Sequence, residues 1–231
     1  MMSGLKDNPS VKTGWLVAAI ALAVVVIDQL VKFYVKTHFY LGESYSVTGW
    51  WEIKFIENNG MAFGMELFSK YLLTFGRIAA VALMIWFVVK VRRTPGVRTG
   101  FFVAMALVIA GAAGNIFDCV FYGVIFNDPW PPAVAQLFPP DGGYAPLFQG
   151  KVVDMLYFPL FSFTWPQWVP GLGGEEYEFF QYIFNIADSS ICIGVALVIF
   201  FFSKDAGLAF NSLGKEKKEK ASVTDQDNDK K

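Results

Sequence analysis

Long apolar segments dominate the pattern of hydrophobic and polar positions along the chain. A helix needs about 20 largely apolar residues to cross the hydrocarbon core of a membrane. Four segments of about that length cover residues 14–34, 71–89, 99–117 and 179–203. Because backbone groups in lipid must be hydrogen-bonded within the protein, each segment is predicted to be a membrane-spanning helix.

Two long connections, at residues 37–70 and 120–178, join the first span to the second and the third span to the fourth. Residues 44–56 are rich in β-branched and aromatic side chains with partial alternation, which predicts one or two short strands. Residues 124–150 and 159–178 contain many prolines and glycines without a regular period. The fold class predicted is an all-α membrane protein, a bundle of four transmembrane helices with a small extracytoplasmic subdomain that contains β-strands.

Basic residues predict how the chain lies in the membrane. They precede the first span, lie between the second and third, and follow the fourth, at Lys6, Lys12, Lys90, Arg92, Arg93, Arg98, Lys204 and six later lysines. The connection 120–178 contains only Lys151. Since basic residues favour the cytoplasmic side, both termini are expected in the cytoplasm.

Two parts are expected along the chain. Residues 1–210 form a single membrane domain, and the first span has no small-residue cleavage site after it, so we expect it to be retained. Residues 211–231 mix lysines with acids and lack aromatic residues. Such a composition is typical of a disordered, charged tail.

Composition narrows the possible functions. Hydrophobic residues make up 55% of the chain and charged residues 17%, against about 25% charged in soluble domains. The net charge of -1 and the lack of a basic patch argue against nucleic-acid binding. One histidine, and two cysteines without the spacing of metal ligands, argue against a metal site or a histidine-based triad. No metal or other cofactor is therefore expected.

Polar residues inside the spans fall at a similar depth. Asp28, Asn115 and Asp188 each lie about 16 or 17 residues from the basic residue at the cytoplasmic end of their span, which is about 24–26 Å along a helix. Arg77 lies at about 20 Å. An ionisable residue within a span indicates function by default, although buried pairs such as Asp28 with Lys32 also hold bundles together. The pattern predicts a polar layer near the outer face.

Asp154 is an acid in a short apolar segment of the outer connection, and the chain could fold it back against Asp188. Two close carboxylates share a proton, so that one activates water while the other polarises a carbonyl or protonates a leaving amine. A peptide-cleaving pair of aspartates is one reading of this spacing. A small ion-coupled transporter and a bundle without activity are the others. The transporter is disfavoured because the acids do not form a relay across the membrane and no internal repeat is present.

Five short motifs together resemble one known family. They are Asp28-Gln-x-x-Lys32, Asn58-x-Gly60-x-Ala62-Phe63, Gly111-Ala-Ala-Gly114-Asn115-x-x-Asp118, Val152-Val-Asp154 and Phe184-Asn185-x-Ala187-Asp188-Ser189. In this order, and on four spans, they are similar to lipoprotein signal peptidase, the bacterial signal peptidase II, over residues 14–203. The resemblance implies a membrane aspartic peptidase that removes the signal peptide from a prolipoprotein, just before a cysteine carrying diacylglycerol.

The resemblance also implies roles for individual residues. Asp154 and Asp188 match the catalytic pair, near the periplasmic face. Supporting and substrate-binding positions are matched by Asp28, Lys32, Asn58, Gly60, Asn115, Asp118, Asn185 and Ala187. The expected partners are lipidated prolipoproteins and membrane lipid, and the protein is expected to act as a monomer.

Some residues depart from the family pattern. Cys119 occupies a position where the family usually has arginine, so Arg77 is a candidate partner for Asp118. Gly64 stands where serine is common. Two insertions, at 124–150 and 159–178, fall in the outer connection, where they could cover or gate the site.

Overall fold

A computed structural model of the chain describes residues 9–59 and 70–214. In this part of the chain, three helices are long and apolar enough to cross a membrane, at Thr13–His38, Lys70–Val91 and Thr99–Ile125. Helices Ile186–Phe201 and Ser203–Gly214 make a fourth candidate if the two, bent by 86°, form one span. The protein is therefore helical, with three or four apolar spans.

The helices are numbered in chain order. They are α1 (Pro9–His38), α2 (Lys70–Val91), α3 (Thr99–Phe117), α4 (Gly123–Ile125), α5 (Ile186–Phe201) and α6 (Ser203–Gly214). A π-helical turn, Asp118–Tyr122, joins α3 to α4.

The fourth helix begins later than the prediction of 179–203. Residues 176–179 and 183–184 are extended, and helix α5 starts only at Ile186. The apolar and aromatic run that precedes Asn185 is as hydrophobic as a span, which is why hydropathy placed it in the helix. Asp188 consequently lies in the first turn of α5 rather than well inside a helix.

The predicted disordered tail also needs a correction at its start. Helix α6 continues through residues 211–214, so these four positions are helical. The rest of the predicted tail, residues 215–231, lies outside the described part of the chain.

Strands form a larger β-structure than the sequence predicted. A four-stranded antiparallel sheet has the order β1 (Ser44–Thr48), β2 (Trp51–Asn58), β3 (Val152–Tyr157) and β6 (Ile183–Phe184). The first two strands lie where strands were predicted. Strands β4 (Phe161–Thr164) and β5 (Glu176–Phe179) form a separate antiparallel hairpin within the second insertion.

The chain divides into two compact units, and one of them contains the polar residues singled out in the sequence. This unit comprises Val26–Arg77 and Gly114–Ser189. Its apolar core joins the end of α1, the sheet and the segment after α3, through Val35, Phe55, Tyr122, Phe126, Ala135, Val153 and Met155. The ring of Phe33 packs edge-on against Tyr122 and Phe126, with centroids 5.5 and 5.2 Å away. The core fixes β3, and hence Asp154, relative to α1.

The other unit comprises Met1–Val25, Ile78–Ala113 and Ser190–Lys231. Within it, α3 and α5 approach closely at Gly194, where a Cβ would lie 2.7 Å from the Ala104 carbonyl oxygen. Small residues allow such contacts between helices in membranes. The backbone N–H of Arg98 and its guanidinium both donate to the carboxylate of Asp205, at 2.7 Å in each case.

Candidate active site

Asp188 is positioned by the way in which helix α5 begins. The Asn185 side-chain oxygen accepts the Asp188 backbone N–H at 2.8 Å, and the Asp188 carboxylate accepts the Asn185 backbone N–H at 3.3 Å. This reciprocal arrangement is a capping box, which satisfies two backbone donors at a helix start. It fixes the Asp188 carboxylate at the N-terminus of helix α5.

Asp154 lies on β3, a central strand of the sheet, and is only 3% exposed. One carboxylate oxygen accepts the Asn185 side-chain amide at 2.7 Å, and the other accepts the side-chain amide of Asn58. Asn58 reaches it from the neighbouring strand β2, which pairs with β3 in antiparallel register. Amide donors on both oxygens fix the orientation of the Asp154 carboxylate.

A single asparagine therefore contacts both acids. Asn185 is fully buried, and it bonds Asp154 through its side chain and Asp188 through both its side chain and its backbone. Asn115 on α3 completes the arrangement, since its amide donates to Asp188 at 2.8 Å and its oxygen accepts from Asn185 at 3.1 Å. The four side chains form one continuous hydrogen-bonded group.

Lys32 lies beneath this group and is fully buried. Its ammonium contacts Asp28 at 2.9 Å, Asp118 at 2.7 Å and the Asn115 oxygen at 2.8 Å. A lysine has three N–H donors, so all of them are used. Because Asn115 also bonds Asp188, it connects the cluster of Asp28, Lys32 and Asp118 to the acid on α5.

The two acids of the cluster have further donors. Asp28 accepts the Ala187 backbone N–H at 2.9 Å, and Asp118 accepts the Gln29 amide at 2.8 Å. The oxygen of Gln29 accepts the Tyr122 hydroxyl at 3.0 Å. Buried charges are tolerated when they are paired and fully hydrogen-bonded, as they are here. Gln29 and Tyr122 were not among the predicted site residues, although Gln29 stands inside the first motif.

The partner of Asp118 is Lys32, whereas the sequence suggested Arg77 as a candidate. Arg77 instead directs a guanidinium N–H towards the Cys119 sulfur, at 3.5 Å. The sequence indicated that Lys32 can pair with Asp28, because those two share a helix face. Its simultaneous contact with Asp118 depends on how α1 meets the turn after α3, which helical spacing does not encode.

Small residues make room for this cluster. A Cβ on Gly114 would lie 2.7 Å from an Asp28 carboxylate oxygen and 3.3 Å from the Cβ of Ala187. Ala187 is itself fully buried. The glycine and the alanine therefore let Asp28 reach the backbone at the start of α5. Gly60, Ala62 and Phe63 of the second motif, and Gly64 after it, lie outside the described residues.

The first insertion packs against the turn that carries Asp118. The carbonyls of Cys119 and Val120 accept backbone N–H groups from Gly150 and Phe148, at 2.8 and 3.1 Å. A Cβ on Gly150 would lie only 2.0 Å from the Asp118 carbonyl oxygen, so this approach requires glycine. Residues 148–150 thus hold the turn just before β3 begins.

A second buried ion pair fixes the end of β2. Glu57, which precedes Asn58, forms an ion pair with Lys36 of α1, and Lys151 lies 3.4 Å from its other oxygen. The Lys36 ammonium also lies 5.3 Å from the ring centres of both Phe126 and Tyr144. These contacts hold β2 and the start of β3 against α1, and so position Asn58 beside Asp154.

Burial changes the acidity of Asp154. Desolvation and, after it, the negative charge of Asp188 raise the pKa of its carboxyl to about 7, although the amides of Asn185 and Asn58 oppose the rise. A carboxyl with this pKa stays protonated near neutral pH to a much greater extent than an ordinary aspartate does.

Among the described residues, no group of three or more His, Cys, Asp or Glu side chains could hold a metal ion.

Comparison with known proteins identifies the family of this chain. The family model described as signal peptidase (SPase) II matches residues 20–204. The lipoprotein signal peptidase of Porphyromonas gingivalis is 45% identical over 195 residues, which cover 84% of this chain and 86% of the relative. That of Amoebophilus asiaticus is 34% identical over 194 residues, covering 81% and 78%. The chain belongs to the signal peptidase II family.

Solved structures of bacterial membrane enzymes also resemble this signal peptidase II chain. One, determined by the in meso method at 2.3 Å resolution, has a TM-score of 0.55 and 26% identity, and the match covers 83% of this chain and 89% of the other. A second, at 1.9 Å, has a TM-score of 0.53 and 28% identity, with coverage of 80% and 90%. The chain is a membrane aspartic peptidase of the signal peptidase II type, which removes signal peptides from prolipoproteins. The transporter alternative receives no support.

Proposed function

We propose that Asp154 and Asp188 are the catalytic pair of this peptidase, and that it cuts just before a cysteine carrying diacylglycerol. The observation that supports this most is the buried Asn185, which bonds both carboxylates. Asn185 bonds the Asp154 carboxylate through its side-chain amide and the Asp188 carboxylate through its backbone N–H, and the two acids are close enough for the charge of Asp188 to raise the pKa of Asp154. This is the condition under which a pair of carboxyls shares one proton.

The different surroundings of the two acids assign their roles. Asp154 is buried and retains a proton near neutral pH, so it is the general acid. Asp188 is half-buried and accepts N–H groups from the Asn115 side chain and from the Asn185 backbone. Asp188 is therefore the base that takes a proton from the attacking water.

The reaction then follows in two steps. Water adds to the carbonyl carbon before the lipidated cysteine, Asp188 accepts the water proton, and Asp154 donates its proton to the carbonyl oxygen. The tetrahedral intermediate collapses when Asp188 returns a proton to the leaving amine and Asp154 recovers its own from the hydroxyl. Both acids end in their starting states, and no cofactor takes part.

We further propose that the enzyme is a four-span monomer of the inner membrane with both termini in the cytoplasm. In this arrangement the bent pair α5 and α6 contains the fourth crossing, and the basic residues of the sequence lie on the cytoplasmic side. Asp188, in the first turn of α5, is then near the periplasmic face. A substrate with an apolar signal helix and a lipid reaches that depth from within the membrane.

A matched pair of precursors tests the proposed substrate. One prolipoprotein carries diacylglycerol on its cysteine, and the other has the same sequence with the cysteine unmodified. The purified protein in detergent micelles is expected to cut only the lipidated precursor, immediately before the cysteine, as mass spectrometry of the products will show. Equal cleavage of both precursors, or cleavage at another bond, would contradict the proposal.

The pH dependence of cleavage tests the assignment of the general acid. Because the pKa of Asp154 is raised to about 7, its proton is present below that pH and lost above it. We expect kcat/KM to fall as pH rises through about 7, since this ratio reports groups of the free enzyme. The Asn58→Ala variant removes an amide that stabilises charged Asp154, so its alkaline limb should move to higher pH. An unmoved limb would assign that limb to another group.

A further inference from the structure

The hairpin of the second insertion has two chemically different faces. Side chains alternate between the faces of a strand, and the register pairs Phe161 with Phe179 and Ser162 with Glu178. One surface, the aromatic face, carries Phe161, Phe163, Trp165, Tyr177 and Phe179. The opposite surface, the polar face, carries Ser162, Thr164, Glu176 and Glu178.

Rings of the aromatic face contact one another across and along the strands. Phe161 stacks on Phe179 with centroids 4.8 Å apart, and Phe163 lies 5.5 Å from Tyr177 and 5.0 Å from Trp165. The face is nevertheless open, since Phe161 is 55% and Phe179 43% exposed. A two-stranded hairpin is marginal in water without a surface against which to bury its apolar side. This face therefore needs a partner.

The polar face is directed towards the rest of its own unit. The Tyr157 hydroxyl at the end of β3 donates to the Glu178 carboxylate. Ser162, Glu176 and Glu178 also line a cavity of about 650 Å³, together with Gly49 in the β1–β2 turn and with Phe161 at the start of β4. Because the two faces of a hairpin point in opposite directions, the aromatic face is turned outwards.

The position of the hairpin in the chain places it near lipid. Phe179 precedes Ile186, the first residue of the apolar helix α5, by about seven residues, which span no more than about 25 Å. Tryptophan and tyrosine favour the boundary between headgroups and hydrocarbon. Carboxylates avoid hydrocarbon, and Glu176 and Glu178 are both on the opposite face. Charge and apolar surface are thus separated as at a membrane boundary.

We propose that the aromatic face of the β4–β5 hairpin rests in the headgroup layer of the membrane and anchors the second insertion to the lipid surface. A broad sheet of aromatic rings without converging polar groups fits a lipid boundary better than it fits a peptide, which would need partners for its backbone. The inference concerns lipid contact only, and it stands whether or not the catalytic assignment is correct.

Spin labels placed on the two faces test this contact. Phe163→Cys and Thr164→Cys are made in the full-length protein with Cys192→Ala, because Cys192 is exposed whereas Cys119 is buried. The labelled proteins are reconstituted into vesicles of phosphatidylcholine and phosphatidylglycerol. We expect the label at 163 to collide several-fold more with oxygen, relative to a water-soluble nickel chelate, than the label at 164. The Cys192→Ala protein without an added cysteine shows the background from Cys119.

Other occupants of the aromatic face give different results. If the two labels have equal access to the chelate, the face is in water and the proposal is wrong. If the label at 163 is immobile and reached by neither reagent, the face is covered by protein, and this also overturns it. In that case, spin–spin broadening that disappears on dilution with unlabelled protein identifies a second copy. Cleavage by each labelled protein in detergent shows that it is folded.

Discussion

Asp154→Asn and Asp188→Asn are each expected to abolish cleavage of a lipidated prolipoprotein, with a fall in kcat on the order of 10³-fold or more. An amide in place of Asp188 cannot accept the water proton, and an amide in place of Asp154 cannot supply a proton to the carbonyl oxygen. Single-turnover cleavage by purified protein measures the loss. Wild-type cleavage by either variant would remove that residue from the catalytic pair.

The variants must fail for a chemical reason and not because they unfold. Burial raises the pKa of Asp154 to about 7, so the folded state is more stable relative to the unfolded state when Asp154 is protonated. This stabilisation is lost as the pH rises through about 7. Asparagine resembles the protonated acid, so Asp154→Asn should unfold no more easily than wild type above that pH. Asp128→Asn is a matched control, because it removes only a partly exposed carboxylate that pairs with Lys151 at 2.6 Å. Wild-type rates are expected for it.

Hydropathy placed the first three helices close to their observed positions, but it placed the start of the fourth helix too early. Residues 179–184 are apolar and aromatic, so they extend the apolar run although they are strand and turn. The boundary is set by the capping box of Asn185 and Asp188, a local signal that the run of hydrophobicity hides. Aromatic and polar residues alternate in Phe161-Ser-Phe-Thr-Trp165, and this alternation could have predicted the first strand of the hairpin.

Sequence motifs were enough to single out the two aspartates that we propose as catalytic, whereas they predicted only some of the contacts that support these residues. Spacing on α1 predicted the pairing of Asp28 with Lys32, which the structure shows at 2.9 Å. The contact of Lys32 with Asp118 joins different helices, and no periodicity encodes it. The close approach of Gly150 to the Asp118 carbonyl could not be predicted for the same reason, because it depends on where the first insertion packs.

Lys32→Met is expected to destabilise the protein by about 3–5 kcal/mol, because it leaves Asp28 and Asp118 buried without their shared cation. It should also reduce cleavage, since the Asn115 oxygen loses the ammonium at 2.8 Å and Asn115 holds Asp188. The midpoint of thermal unfolding in detergent and the single-turnover rate measure the two effects. Lys54→Met is the control. The Lys54 ammonium lies 4.9 Å from the ring centre of Tyr157, and among the described residues it forms no salt bridge.

A second substitution separates the two effects of losing Lys32. In Lys32→Met with Asp118→Asn, the cluster contains a single carboxylate, and Asp28 still accepts the Ala187 N–H at 2.9 Å. Much of the lost thermal stability should therefore return. The cleavage rate should stay low, because neither substitution restores the ammonium that donates to the Asn115 side-chain oxygen. Full recovery of the rate together with stability would show that Lys32 acts only through charge balance, and that the contact between Lys32 and Asn115 does not position Asp188.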